Sequence, residues 1–132
     1  MREILFRGKR IDNGELVEGQ YHCTDYIWND EEIRRHYILP QNYGDAFVVN
    51  PETVGQFTEL TDKKGKRIFE GDICRVSRPC VLAYGKITFQ NGCFWFVDDG
   101  PGGMLRLCDV KTNGFEIEVI GNIHDNPELL EG

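Results

Sequence analysis

One run constrains the fold more than any other. Gly85-Lys86-Ile87-Thr88-Phe89-Gln90 alternates polar and apolar residues, Asn91-Gly92 follows, and Cys93-Phe94-Trp95-Phe96-Val97-Asp98 alternates back. Asn-Gly accommodates the two consecutive positive φ angles of a two-residue hairpin turn, whose twist matches that of the flanking strands. A two-residue turn sets the register. Phe89 then faces Phe94 and Ile87 faces Phe96 on one side, while Thr88 faces Trp95 on the other. The first face is expected to be core, because paired aromatics there contribute about 0.5–1.5 kcal/mol beyond their burial. Lys86, Thr88 and Trp95 share the opposite face.

The same logic of short strands and tight turns reads along most of the chain, as fifteen glycines and many β-branched and aromatic residues suggest. Ile4-Leu5-Phe6 opens a strand and Leu16 to Tyr21 is its partner. A two-residue turn at Asn13-Gly14 sets Ile11 against Leu16 and Lys9 against Glu18. It also sets Asp12 against Glu15, so a three-residue loop stays open. Cys23 to Asn29 shows no clear pattern, and Asn29-Asp30-Glu31-Glu32 fits a tight acidic turn or the cap of one helical turn. Ile33 to Leu39 fits either state, with Pro40 favouring a strand end before it. Gln41 to Asp45 reads as loop, and Ala46 to Val49 as a short strand closed by Pro51. Ile73 to Val76 is a strand broken by Pro79, with Val81 to Tyr84 as a bulged continuation. Asp99 to Gly103 reads as a mobile glycine loop. Met104 to Cys108 resumes an apolar pattern, and Asn113-Gly114 makes another turn. Phe115 to Ile120 alternates strictly and gives a strand with one wet, acidic face. Asp125-Asn126-Pro127 starts a single helical turn.

The stretch Pro51 to Asp72, PETVGQFTELTDKKGKRIFEGD, joins the two halves around a polar turn, Thr61 to Lys66. The predicted fold is mostly β. It has an N-terminal small antiparallel sheet of hairpins (residues 1–50) packed on a C-terminal SH3-like barrel (residues 51–132), the two forming one compact unit.

Charge is distributed unevenly. The chain carries a net charge of −7, which argues against plain phosphate-backbone binding. Residues 60–90 nevertheless hold seven basic residues (Lys63, Lys64, Lys66, Arg67, Arg75, Arg78, Lys86) against three acidic ones, a +4 island between anionic flanks. This island reads either as solvated turn charge or as a docking patch. The five cysteines include no C-x-x-C pair. With no apolar leader and no apolar run near the ~20 residues that span a bilayer, they read as free, mostly buried thiols in the cytoplasm of a bacterial host cell.

No cluster of reactive residues emerges. His22 and Cys23 are neighbours on a strand and point to opposite faces, and no pair has zinc-ligand spacing. Cys74, Cys80, Cys93 and Cys108 sit in apolar strand contexts, where thiols serve as packing. Glu116 and Glu118 share one strand face, unlike the paired carboxyls of acid–base catalysis. Asp98-Asp99 lacks further oxygen ligands at fixed offsets. Gly100 to Gly103 lacks the following Lys-Ser/Thr and the helix of a phosphate loop. The expected catalytic, metal and cofactor sites are therefore none. The candidate docking surface is the basic turn Lys63, Lys64, Lys66 and Arg67 together with Lys86 and Trp95, since an aromatic beside cations can anchor a protein or stack on a base.

Four segments carry a family resemblance: MREILFRGKR, DNGELVEG, PETVGQFTELTDKKGKRIFEGDI and EVIGNIHDNPELL. Together they run from Arg2 to Leu130, and the long central motif is specific. The chain resembles the YopX family of phage and prophage proteins, departing from it at Leu16, where a bulky aromatic is expected. The resemblance implies a phage or prophage origin and a mostly-β fold with an SH3-like barrel. It implies no activity and carries no catalytic residues. The expected function is that of a non-enzymatic accessory protein, a protein-interaction module with an unknown protein partner or self-association. The alternative is nucleic-acid binding through the basic turn and Trp95. No membrane and no small-molecule substrate are expected.

Overall fold

A computed structural model describes residues 4–40, 44–98 and 103–130. The chain is mostly β, as expected, and divides into two compact units, Met1–Phe57 and Thr58–Gly132.

In the first unit β1 (Phe6–Lys9) lies between β2 (Leu16–Trp28) and the start of β5 (Gly55–Thr61), and β3 (Glu31–Leu39) lies between β2 and β4 (Phe47–Val48). Arg7 faces Glu18 and Lys9 faces Leu16, so the expected Lys9–Glu18 pair is not formed. The cause is the turn. Arg10 N–H donates to the Glu15 carbonyl at 2.9 Å and Gly14 N–H to the Arg10 carbonyl at 2.9 Å, while Glu15 N–H donates to Asn13 Oδ1 at 2.9 Å. Four residues, Ile11 to Gly14, therefore make the loop, and the pairing slides by two. β2 and β3 form one long hairpin, which resolves the ambiguity over Cys23 to Leu39. Its tip is Asn29-Asp30, with φ of 51° and 62°, so both central residues are left-handed, as a two-residue turn of this hand requires. Leu5, Ile38, Val49 and Phe57 are the buried apolar residues here. Asn50 caps the short 3-10 turn Pro51–Thr53, accepting the Glu52 N–H at 3.1 Å.

In the second unit β5 leads into β6 (Arg67–Phe69). A separate five-stranded antiparallel sheet has the order β10-β9-β8-β7-β11, built from β7 (Asp72–Arg78), β8 (Val81–Gln90), β9 (Cys93–Asp98), β10 (Met104–Arg106) and β11 (Glu116–Asn122). The register of β8 and β9 is the one Asn91-Gly92 predicted, with φ of 52° and 78° at the turn. Val81 to Tyr84 is no bulged remnant. It is the first half of β8, paired to β7 across a Pro79-Cys80 turn in which Cys80 has φ 66°.

The expected SH3-like barrel is not confirmed: among the described residues the second sheet is open, with β10 and β11 as its edges. The segment after β10 turns helical instead. Leu107–Thr112 is α1, with Leu107 and Val110 buried. The Asn113-Gly114 turn is the end of that helix. Gly114 (φ 82°) donates to the Lys111 carbonyl and Phe115 N–H to the Val110 carbonyl, each at 3.0 Å, the paired bonds of a left-handed C-terminal cap. The core lies on one face of the sheet: Cys74, Val76, Ile87, Phe96 and Ile117, joined by Ile68, Leu107 and Val110. Each fully buried apolar side chain there contributes about 1.5–3 kcal/mol. Phe89, expected in that core, is 48% exposed and packs edge-on to Phe94 at 5.0 Å. It lies next to the turn, where the covering residues run out. The single turn at the C-terminus is present as Pro127–Leu130. The loop reading at residues 41–43 lies outside the described residues, as do residues 99–102, and with them Asp99 of the Asp98-Asp99 candidate and most of the glycine-loop candidate.

Candidate functional site

The polar turn at the centre of the chain is organised by one buried carboxylate. Asp62 is 4% exposed. Its Oδ1 accepts the backbone N–H groups of Lys64 and Lys66, each at 2.9 Å, and Oδ2 accepts that of Val119 at 3.0 Å. Lys63 N–H donates to the Ile117 carbonyl at 3.0 Å, and Gly65, at φ 83°, lets the chain reverse. Asp62 thus folds its own turn and fastens it to β11. Burial works against its ionisation, but the three amide donors prevail and hold the carboxyl below its ordinary value.

This placement brings the basic turn onto the acidic strand. Lys64 Nζ lies 3.2 Å from Glu118, Lys63 Nζ lies 3.7 Å from Glu116 and 4.0 Å from Glu118, and Arg75 donates to Glu118 at 2.9 Å. The Glu118 side chain is only 14% exposed, so the strand face expected to be wet is partly covered by cations. The Lys64 hydrogen bond, with the charges of Lys64, Arg75 and Lys63, holds the Glu118 carboxyl low against partial desolvation. Lys66 and Arg67 are exposed. Lys86 and Trp95 stand on β8 and β9, on the sheet face that also carries Arg75 and Glu118. Trp95 is half-buried, and its Nε1 donates to the Gln90 carbonyl at 3.0 Å. The six candidate residues therefore divide. Lys63 and Lys64 pair with carboxylates of β11, while Lys86 and Trp95 stand on the sheet.

A testable consequence concerns those carboxylates. A Glu116→Gln/Glu118→Gln double variant is expected to keep its fold and to gain affinity for a polyanion such as heparin, eluting at higher salt than wild type. Unchanged elution means the lysines were available from the start.

Sequence reading missed the most exposed large side chains. Ile27 is 72% and Trp28 65% exposed, both at the tip of the β2–β3 hairpin. The acidic turn read from Asn29 is present at Asn29-Asp30, but the strand before it, which carries Ile27 and Trp28, showed no clear pattern and was not legible. Along the hairpin Asp25 and Arg34 pair at 2.7 Å, and Arg35 lies over the Tyr26 ring at 5.7 Å. A groove of about 720 Å³ runs beside β3, lined by Arg10, Ile33, Arg35, His36 and Phe47 among others. Within it Arg10 stacks over Phe47 at 4.1 Å and pairs with Asp12 at 2.6 Å.

The cysteines differ from expectation. Cys74 alone is fully buried, while Cys23, Cys80 and Cys108 are exposed. Cys80 sits in a turn and Cys108 on α1, so their strand contexts were misread. Cys23 lies across from His36, a neighbour that sequence distance concealed. The His36 Nδ1 shares a hydrogen bond with the Tyr21 hydroxyl, and the two rings stack at 5.8 Å. Burial, with the neighbouring Cys23 charge, pushes the Tyr21 phenol up against the opposing effect of Arg34. No group of three metal-ligating side chains converges among the described residues, and none of the described helices is long and apolar enough to cross a membrane.

Comparison with known proteins bears out the family resemblance. The family model described as YopX protein matches residues 5–131. The crystal structure of protein EF1440 from Enterococcus faecalis is similar at a TM-score of 0.58 and 24% identity, over 97% of this chain and 98% of that one, which is a likeness of fold. No curated protein matches.

Proposed function

Because the chain belongs to the YopX family, we propose that it is a phage-derived, non-enzymatic protein-interaction module working in the bacterial host cytoplasm. The β2–β3 hairpin is the element it offers to a partner. One observation carries this reading: Ile27 and Trp28, adjacent and 72% and 65% exposed, end a hairpin in which nine residues of each arm are paired. Large aromatic side chains left in water are the residue types that anchor protein interfaces. Neighbours on a strand point to opposite faces, so the tip offers an apolar group on either side.

The ion pairs of the basic turn favour this reading over nucleic-acid binding. Lysines held by Glu116 and Glu118 would have to exchange those partners for phosphates, and the overall charge of −7 opposes approach to a polyanion.

Affinity capture from infected cells tests the proposal. An Ile27→Ser/Trp28→Ser variant, with unchanged circular dichroism, is expected to lose at least about tenfold of a partner retained by wild type, as loss of an interface anchor worth about 2 kcal/mol implies. Equal capture by both proteins defeats the tip. Salt-sensitive DNA binding by wild type at about 50 mM salt would favour the alternative.

A further inference from the structure

We propose that the outer edge of β3, Glu31-Glu32-Ile33-Arg34-Arg35, pairs antiparallel with the same edge of a second copy of this chain about a two-fold axis at Ile33. Only the far end of β3 has a neighbour on that side: β4 pairs with Tyr37 and Ile38, and Val49 N–H donates to the His36 carbonyl at 2.9 Å. Among the described residues, no strand pairs with Glu31–Arg35 there. Ile33, Arg34, Arg35 and His36 line one side of the groove.

Backbone direction and charge order select the same register. In an antiparallel strand the N–H and C=O of one residue point to one side, and alternate residues repeat. The His36 carbonyl points outward, so the backbone groups of Arg34 and Glu32 do too. With the axis at Ile33, Glu32 of each copy meets Arg34 of the other, and these are the residues whose amides and carbonyls face outward. The same register sets Glu31 against Arg35 and Ile33 against its own counterpart. Every charged residue of the edge then faces its opposite. Sliding one copy by two residues keeps the backbone pattern but sets Glu32 against Glu32 or Arg34 against Arg34, and parallel in-register pairing matches like with like throughout. Charges on an edge strand ordinarily deter pairing. This order deters every register but one.

The neighbouring strand supports the match. Tyr26 lies across from Ile33 and Asp25 from Arg34. The joined sheet would run Tyr26, Ile33, Ile33, Tyr26 through the axis on one face. On the other, each Arg34 would lie between Asp25 of its own chain and Glu32 of the second. A closed two-fold contact of this kind ends at two copies and leaves no growing edge.

This goes beyond the partner reading, since it uses the side of the hairpin and not its tip. Light scattering coupled to size exclusion, on the full chain, tests it. Wild type is expected to rise with concentration toward twice the 15.2 kDa monomer mass and to fall back as salt screens the pairs. Arg34→Glu/Arg35→Glu and Glu31→Arg/Glu32→Arg are each expected to stay monomeric, and an equal mixture of the two to recover the doubled mass. As a measurement independent of those variants, an oxidised Ile33→Cys variant should yield, by mass spectrometry, a cross-link between the substituted positions of two chains. The Ile27→Ser/Trp28→Ser variant should keep the doubled mass, which separates this result from the partner assay. A wild type still monomeric at about 1 mM, a doubled mass that persists in both charge variants, or a mixture that fails to restore it overturns the proposal.

Discussion

Replacing Asp62 by alanine is expected to destabilise the second unit by about 3–5 kcal/mol, since hydrogen bonds to a charged acceptor contribute about 1.5–3 kcal/mol each and do not simply add. The substitution strands the amides of Lys64, Lys66 and Val119. It also frees the turn from β11, so the ion pairs of Lys63 and Lys64 loosen with it. Asp62→Asn keeps one acceptor oxygen and is expected to lose less. The pH dependence has a definite sign. A carboxyl held below its unfolded value contributes stability that is fully present above that value, about 3.9, and is lost as pH falls through the lower folded value. The gap in urea midpoint between wild type and Asp62→Asn is therefore expected to be widest near neutral pH and to shrink below about pH 4. A gap that is constant from neutral to acid would mean the charge of Asp62 contributes nothing.

Gly85→Ala is expected to cost above about 3 kcal/mol, at the upper end for overpacking a filled site. The reason is space, not backbone freedom. A Cβ at residue 85 would lie 2.2 Å from the Val97 carbonyl oxygen, 2.8 Å from its carbon and 2.9 Å from the Phe96 ring. Two of those atoms are backbone of the adjacent strand, so β8 and β9 would have to part where Gly85 pairs with Asp98. Gly92→Ala supplies the contrast. Its Cβ would meet nothing within 4 Å, and the strain is confined to φ +78°, worth about 1–2 kcal/mol. Urea unfolding followed by circular dichroism ranks the two. A Gly92 variant as damaging as the Gly85 variant would show that close strand approach is not what holds residue 85 to glycine.

These two sites show what a linear reading can and cannot reach. Asp62 was visible as part of a polar turn, but its third donor, Val119, is 57 residues away. Gly85 read as an ordinary strand residue, because the Val97 carbonyl that excludes a side chain belongs to the next strand. The candidate docking surface fared likewise. Lys63, Lys64, Glu116 and Glu118 were all singled out, yet as a cationic turn and a solvated acidic face, not as partners. Trp28, the most exposed tryptophan, sat in a segment that neither periodicity nor turn chemistry resolved.

What the sequence by itself determined was local: period-two alternation made the chain mostly β, Asn91-Gly92 set the register of its hairpin, and four motifs identified the family. These are properties of residues near one another in the chain, where backbone sterics and side-chain period suffice. Tertiary structure alone decided that Leu107–Thr112 is helical and the second sheet open, that Asp62 and Val119 meet, and that no described strand pairs with the outer edge of Glu31–Arg35. Those outcomes turn on which distant groups satisfy a buried amide or cover an apolar face, and no spacing along the chain encodes them.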